Sequence, residues 1–130
     1  MSTSPTRIVP AVHGHRPVEP DPPFEIGLAD FLRARYSREA VLALMTRHGS
    51  TDEDLELVLR RAAWRAAVRR FGNGVRIGRN VLTRHPETFE IGDAVFIGDQ
   101  AVLQGRHDGT CVIGSHVWIG PQVYFDARHL

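Results

Sequence analysis

The chain of 130 residues has no lysine, a single cysteine and no long apolar run. All 16 basic residues are arginines, which suggests a bias toward GC-rich codons more than a mechanism. The lone Cys111 excludes an internal disulfide and fits a reducing compartment, so we expect a cytoplasmic protein. No apolar run approaches the roughly 20 residues of a membrane span, and the N-terminus lacks the pattern of a signal peptide. The sequence therefore predicts one small unit without a membrane span.

The balance of charge argues against nucleic acid as a partner, since the formal net charge is only +1. Arg61, Arg65 and Arg69 recur at helical spacing, and such a stripe could contact phosphates. The same segment begins with acidic residues and ends with basic ones, which simply complements the dipole of a helix. A solvated helix face is the better interpretation of these arginines.

Two segments precede the most regular part of the chain. Residues 1–23 hold six of the eight prolines and little apolar content, which predicts a disordered tail because too little surface could be buried. Residues 24–70 show apolar residues at helical spacing, with a stop at Gly49 and N-cap candidates at Ser50 and Thr51. We expect these helices to pack on the first strands of the region that follows.

Residues 71–130 form a series of six-residue units. Each unit begins with an apolar residue followed by glycine, and a small or branched residue occupies its fifth position. The best units come in tandem pairs, and successive pairs start 20 and then 22 residues apart. A looser unit follows each pair, so every group of three units predicts three short strands and three corners. The well-matched units begin at Phe71, Ile77, Ile91, Ile97, Ile113 and Ile119, and the looser ones at Thr83, Leu103 and Phe125.

This periodicity predicts a parallel β-helix. In that fold the first residue of each unit points inward and stacks on its equivalent one coil away, at roughly 4.8 Å. The glycine beside it allows the dihedral angles and the close approach of a corner. Stacked repeats of this kind need capped ends, and the helices of residues 24–70 would supply one cap.

The segments VFIGDQAVLQGRHDGT and VWIGPQVYFDARHL resemble the hexapeptide-repeat acyltransferases, and most of all bacterial sugar O-acetyltransferases of polysaccharide and antibiotic pathways. The resemblance implies a mainly β protein, a left-handed parallel β-helix with an N-terminal helical cap. It also implies transfer of an acetyl group from acetyl-CoA to a hydroxyl of a sugar or related acceptor, without a metal, in a homotrimer. The family's catalytic histidine lies in a later loop that has no match here, so this chain is expected to be the N-terminal part of a longer enzyme.

Histidine is the usual general base for a hydroxyl acceptor, and the chain offers a repeated pair of residues that contains it. Arg84-His85, Arg106-His107 and Arg128-His129 all lie near the corner that accepts insertions. His107 and His129 occupy equivalent positions and are the candidate catalytic residues, whereas His85 falls two places earlier. The competing interpretation is a polar corner in which arginine and aspartate pair locally, and it is modestly favoured.

Two other functions stay open. A non-catalytic scaffold or interaction module is one, and a chain that naturally ended at Leu130 would favour it. Apolar residues that recur on the outside predict an interface between subunits, unless the N-terminal helices or tail cover them. A metal-dependent protein similar to hexapeptide carbonic anhydrases is the other, with histidines such as His107 and His129 contributed by adjacent subunits. The outward apolar residues are Phe96 with Trp118, and Leu82 with Val102 and Tyr124.

Overall fold

The computed structural model describes residues 18–127. Within this range the chain first forms three helices, α1 (Pro23–Arg35), α2 (Arg38–Arg47) and α3 (Asp54–Ala67). Nine short strands follow, with a 3-10 turn, Pro86–Thr88, between the third and the fourth. They are β1 (Arg70–Phe71), β2 (Arg76–Ile77), β3 (Leu82–Arg84), β4 (Phe89–Ile91), β5 (Phe96–Ile97), β6 (Val102–Gln104), β7 (Cys111–Ile113), β8 (Trp118–Ile119) and β9 (Tyr124–Asp126).

The helix boundaries follow from local chemistry. Helix α2 begins after Ser37, whose Oγ accepts a hydrogen bond of 3.1 Å from the Ala40 N–H. Helix α3 begins after Glu53 and carries acidic residues in its first turn, where the helix dipole favours them. The predicted N-caps Ser50 and Thr51 lie before this helix, so the expectation that they cap it is wrong.

The strands form three parallel sheets of three strands each, with the orders β1-β4-β7, β2-β5-β8 and β3-β6-β9. The chain visits the three sheets in turn, and we call each set of three successive strands a circuit. The register places equivalent residues of the six-residue units beside one another. The paired sets are Phe71 with Ile91 and Ile113, Ile77 with Ile97 and Ile119, and Thr83 with Leu103 and Phe125.

The fold class predicted from the sequence, a mainly β left-handed β-helix with a helical cap, is wrong. Helix accounts for 36% of the described residues and strand for only 21%, so the protein is not mainly β. The strands form three small, separate parallel sheets, and no β-helix solenoid is indicated. The physical reason is that only two or three residues of each unit pair in a strand, while the others form turns.

The corners of the circuits depend on a backbone position that the repeat pattern did not indicate. The fourth residue of every well-matched unit has a positive φ, between 54° and 69°. The glycine at the second position has a different role, because its lack of a side chain lets the backbone of the next circuit stack closely on it. A Cβ added to Gly98 would lie 2.6 Å from the backbone nitrogen of Pro121 in the next circuit. The left-handed positions are Gly74, Asn80, Ala94, Gln100, His116 and Gln122.

The hydrophobic core lies between the three sheets and extends to α3. Trp64 on α3 and Phe89 on β4 are its largest buried apolar side chains. First and fifth residues of the well-matched units fill the interior, and those of the second circuit are almost fully buried. In the third circuit Val117 is half-buried and Val123 is exposed. The core is therefore densest in the first two circuits, beneath the helices.

The predicted tail, residues 1–23, lies mostly outside the described residues. The described end of it is attached to the first circuit. The Asp21 N–H donates to Asn73 Oδ1 at 3.0 Å, and Asp21 Oδ1 accepts from the Gly74 N–H at 3.0 Å. The Asp21 carboxylate also pairs with Arg65 on α3. Asp21 thus joins the start of the described chain to both α3 and the β1–β2 turn.

Candidate functional site

The candidate site lies at the turns that follow β3 and β6, where two histidines meet. His85 comes directly after β3, and His107 lies three residues after the end of β6. Their ring centroids are 5.8 Å apart, with an angle of 51° between the ring planes. Counting residues along the units had placed His85 two positions out of step with His107. The different lengths of the two turns bring the rings together in spite of that offset.

The backbone of His85 is held by the 3-10 turn that follows it. His85 has a left-handed conformation, with φ 54° and ψ 51°. Its carbonyl accepts hydrogen bonds from both the N–H and the Oγ1 of Thr88, at 3.0 and 2.7 Å. Because Thr88 is buried, this pair of bonds anchors the turn to the core and leaves the imidazole at the surface.

Glu87 supplies a carboxylate to this corner. Its Oε2 lies 3.3 Å from Nδ1 of His85 and 3.8 Å from Nη1 of Arg38 on α2. A carboxylate at one ring nitrogen favours the proton on that nitrogen, which leaves the other nitrogen to accept a proton. The arrangement is therefore suited to orienting His85, whose ring in turn contacts His107.

Gly105 allows the His107 turn to approach the His85 turn. A Cβ at this position would lie 2.3 Å from Oγ1 of Thr88 and 3.0 Å from the carbonyl oxygen of His85. The Gly105 N–H donates to the Arg84 carbonyl at 2.9 Å. The two histidine turns are thus held together by backbone contacts, so their rings do not meet by side-chain packing alone.

Arg106 and Asp108, on either side of His107, pair with each other. The Nε and Nη2 atoms of Arg106 lie 2.9 and 3.1 Å from the two carboxylate oxygens of Asp108. The hydrogen bond from Arg106 is the main reason why the pKa of Asp108 is lowered from its ordinary value, and the same bond raises the pKa of Arg106. This local pairing is what the polar-corner interpretation predicts for these two residues.

Gln104 adds polar groups on the outer face of β6. Its side-chain N–H donates to the Tyr124 hydroxyl at 3.2 Å. Its Oε1 is buried and has no hydrogen-bond partner among residues 18–127. A buried acceptor of this kind is normally satisfied by a donor such as a hydroxyl or water. Because this oxygen is buried, it is not open to a ligand at the surface, and the side chain of Gln104 serves to link β6 to β9 through Tyr124.

A cavity of about 370 Å³ opens beside this corner, lined among others by Arg106, Asp108 and Cys111. Burial raises the pKa of the Cys111 thiol above its ordinary value. A raised pKa keeps the sulfur protonated near neutral pH, whereas a nucleophilic cysteine needs a lowered one. Of the groups at this corner, the histidines are thus better suited to proton transfer than Cys111 is to covalent chemistry.

Two further histidines of the repeat region remain, His129 and His116. His129 lies outside the described residues, so its stacking on His107 stays a prediction. His116 lies on the surface at a left-handed corner of the third circuit. Within residues 18–127, no group of three or more histidine, cysteine, aspartate or glutamate side chains could hold a metal ion. The contributions of His85 and Glu87 were missed, although Glu87 stands only two residues from His85.

Comparison of the chain with models of protein families, with characterised proteins and with solved structures finds no significant match. In the part of the chain described here, none of the helices has the length and apolar character needed to cross a membrane.

Proposed function

We propose that this chain is part of an acyltransferase related to the hexapeptide-repeat enzymes, which transfers an acetyl group from acetyl-CoA to a hydroxyl of a sugar or related acceptor. The observation that carries the proposal is the His85–His107 pair, 5.8 Å between ring centroids, beside stacked Ile-Gly units. An exposed imidazole with a second imidazole and a carboxylate behind it suits general-base chemistry on a hydroxyl.

In this proposal His107 is the general base. Its free ring nitrogen takes the proton of the acceptor hydroxyl while the oxygen attacks the thioester carbonyl carbon of acetyl-CoA. Collapse of the tetrahedral intermediate breaks the carbon–sulfur bond, and the imidazolium returns its proton to the departing thiolate. The products are an O-acetyl ester and free coenzyme A, and an imidazole base of this kind needs no metal ion.

His85 and Glu87 are positioning residues in this scheme. Glu87 Oε2, at 3.3 Å from His85 Nδ1, favours one tautomer of His85. The tilted contact of the two rings then limits the orientations open to His107. Positive charge that develops on His107 during proton transfer would be stabilised by the carboxylate of the adjacent Asp108, which Arg106 shares.

Exposed apolar side chains support assembly with further copies of the chain. Trp118 is 64% exposed and packs edge-to-face on Phe96, while Leu82 and Tyr124 are 59% and 58% exposed on the neighbouring sheet. We propose a homotrimer in which these residues are covered, as the resemblance implies, and a cytoplasmic location, as the single cysteine suggests. Light scattering on the purified protein should then give three times the mass of one chain.

The test is an acetyl-transfer assay on the protein as its natural host produces it. Acetyl-CoA is incubated with a panel of hexoses, amino sugars and glycosides, and both free thiol and acetylated product are measured. We expect thiol release that depends on an acceptor, with one ester formed per thiol. Thioester hydrolysis that no acceptor stimulates, or no turnover at all, would contradict the proposal.

A non-catalytic interaction module is the second candidate, and the exposed Trp118, Leu82 and Tyr124 favour it. The same assay separates the two functions, because a module forms partner complexes but no ester. Pull-down of a defined partner that is lost in Trp118→Ser, together with no turnover, would favour the module.

A further inference from the structure

A groove that shares only Glu87 with the histidine corner lies where the three helices come together. It has a volume of about 430 Å³ and runs between the end of α1, the start of α2 and the end of α3. Its floor is apolar, because Val41 of α2 and Val68 after α3 are both buried there. These two side chains are already out of water, so the apolar surface that a ligand body could cover comes from the half-buried Ala66 and Ala67 and from the ring of Tyr36.

The rim of the groove is strongly basic. Arg33, Arg38 and Arg69 line it, with Glu87 as the opposing carboxylate, so the lining has an excess of two positive charges. Asp30 pairs with Arg33 at 3.1 Å, and when its charge is included the excess falls to one positive charge. Three guanidinium groups around one small cavity repel one another unless an anion lies between them.

The partners of these arginines leave donor capacity for a ligand. Arg38 is 3.8 Å from Glu87, longer than a hydrogen bond, and its side chain is 62% exposed. Arg69 donates to the neutral hydroxyl of Thr110, and no carboxylate contacts it among residues 18–127. The positive charges of Arg38 and Arg69 are thus only weakly compensated within the described chain.

We propose that this groove binds an organic anion with a phosphate or carboxylate head and an apolar body. The head lies between Arg38 and Arg69, which present planar donors suited to two-point contact with such groups. The body lies on Ala66, Ala67 and the ring of Tyr36. The half-exposed phenol of Tyr36, at the rim, offers a further polar contact beside the head.

The test uses four small probes and amide chemical shifts of the whole chain. Phenyl phosphate combines both parts, inorganic phosphate has the head alone, phenol has the body alone, and phenylacetate replaces phosphate by carboxylate. We expect phenyl phosphate to shift residues of the groove and to bind at least about tenfold more tightly than phenol or inorganic phosphate. The ratio between phenyl phosphate and phenylacetate identifies the preferred head.

Two substitutions on the same helix provide the matched control. Arg38→Gln should weaken phenyl phosphate about tenfold, because it removes a charged donor from the rim. Arg47→Gln, at the exposed far end of α2, should change the affinity less than twofold. Equal weakening by both variants, shifts spread over the surface arginines, or phenol binding as tightly as phenyl phosphate would each overturn the proposal. Arg38 is exposed, so circular dichroism should show both variants folded.

Discussion

Arg60 is a charged residue that is 99% removed from solvent, and it joins the helices to the first circuit. Its guanidinium donates to the carbonyl of His48 at 3.0 Å and to the carbonyl of Ile77 in β2 at 2.9 Å. It also pairs with Asp52 at 3.0 Å and donates to the Thr51 carbonyl. One side chain therefore satisfies three backbone carbonyls of the α2–α3 loop and of β2.

Arg60→Met should lower the free energy of unfolding by about 3 kcal/mol, since it keeps most of the volume but leaves buried carbonyls without donors. Urea unfolding followed by the fluorescence of buried Trp64 measures the change. Arg47→Met, on an exposed position, is the control and should cost less than about 0.5 kcal/mol. Equal stability of the two variants would show that Arg60 does not hold the loop on the sheet.

Ala94 has φ 54°, a conformation in which any residue with a Cβ is strained. Ala94→Gly should therefore raise the free energy of unfolding by about 0.5 kcal/mol, because relief of strain exceeds the added entropy of the unfolded chain. The same substitution in a helix, Ala66→Gly, should lower it by about 1 kcal/mol. Thermal melting of the two variants compares them, and a loss of stability in both would contradict the role of the left-handed position.

At the scale of the element, the separation of neighbouring circuits depends on glycine at the second position of a unit. A Cβ at Gly98 would meet backbone atoms of Gly120 and Pro121 at 2.6 to 2.9 Å, and backbone cannot move aside as a flexible side chain can. Gly98→Ala should cost about 2 kcal/mol or more in urea unfolding, because β5 and β8 must separate.

Gly114 is the matched control for Gly98, since it holds the same position in its unit. A Cβ added there meets no atom of residues 18–127 within 4 Å. Gly114→Ala should therefore change the stability by less than about 0.5 kcal/mol. If both alanine variants unfolded at the same urea concentration, close stacking would not explain the repeated glycine.

The corners are also joined by a ladder of side chains at the third position of the units. Asp99 accepts a hydrogen bond of 2.8 Å from the Arg79 N–H and one of 2.9 Å from its guanidinium. These bonds, the backbone bond first, lower the pKa of Asp99 from its ordinary value of 3.8. In the units that begin at Phe71 and Ile91, Asp93 likewise accepts a hydrogen bond of 2.8 Å from the Asn73 N–H.

Because the pKa of Asp99 is lower in the folded than in the unfolded protein, the ionised carboxylate stabilises the fold at any pH above its unfolded pKa. This stabilisation is lost as the pH falls through the folded pKa. The stability difference between the wild type and Asp99→Asn should thus be largest near pH 7 and should shrink below about pH 4. Urea midpoints measured from pH 7 to pH 2.5 test this. A difference that stays constant, or grows in acid, would contradict the ionised hydrogen bond.

At the scale of the whole molecule, the repeat units predicted which residues stack but not the class of the fold. The pairing of Ile77, Ile97 and Ile119 follows from the unit spacing. The repeat predicts more strand residues than the structure has, because each six-residue unit contributes only two or three paired residues. Apolar spacing predicts helices in segment 24–70, and these helices hold more residues than the nine short strands together.

The candidate site was only partly predictable, because it depends on the shape of two turns. His107 was chosen as a position in a repeat, and its repeat partner His129 lies outside the described residues. Its neighbour in space is His85, brought near by the 3-10 turn and by the close approach at Gly105. The groove lined by Arg33, Arg38 and Arg69 could not be predicted either, because only tertiary packing brings together the three helices and the turn that form it.

The most direct test of the proposed chemistry is kcat for acetyl transfer in His107→Asn compared with His116→Asn. Both histidines are exposed. His116 has a left-handed backbone, which asparagine tolerates, so His116→Asn is a control that should fold. Loss of the general base should lower kcat by about 100-fold or more with little change in KM for acetyl-CoA, while His116→Asn should stay within about twofold. Equal activity of His107→Asn and the wild type would contradict the assignment of His107 as the base.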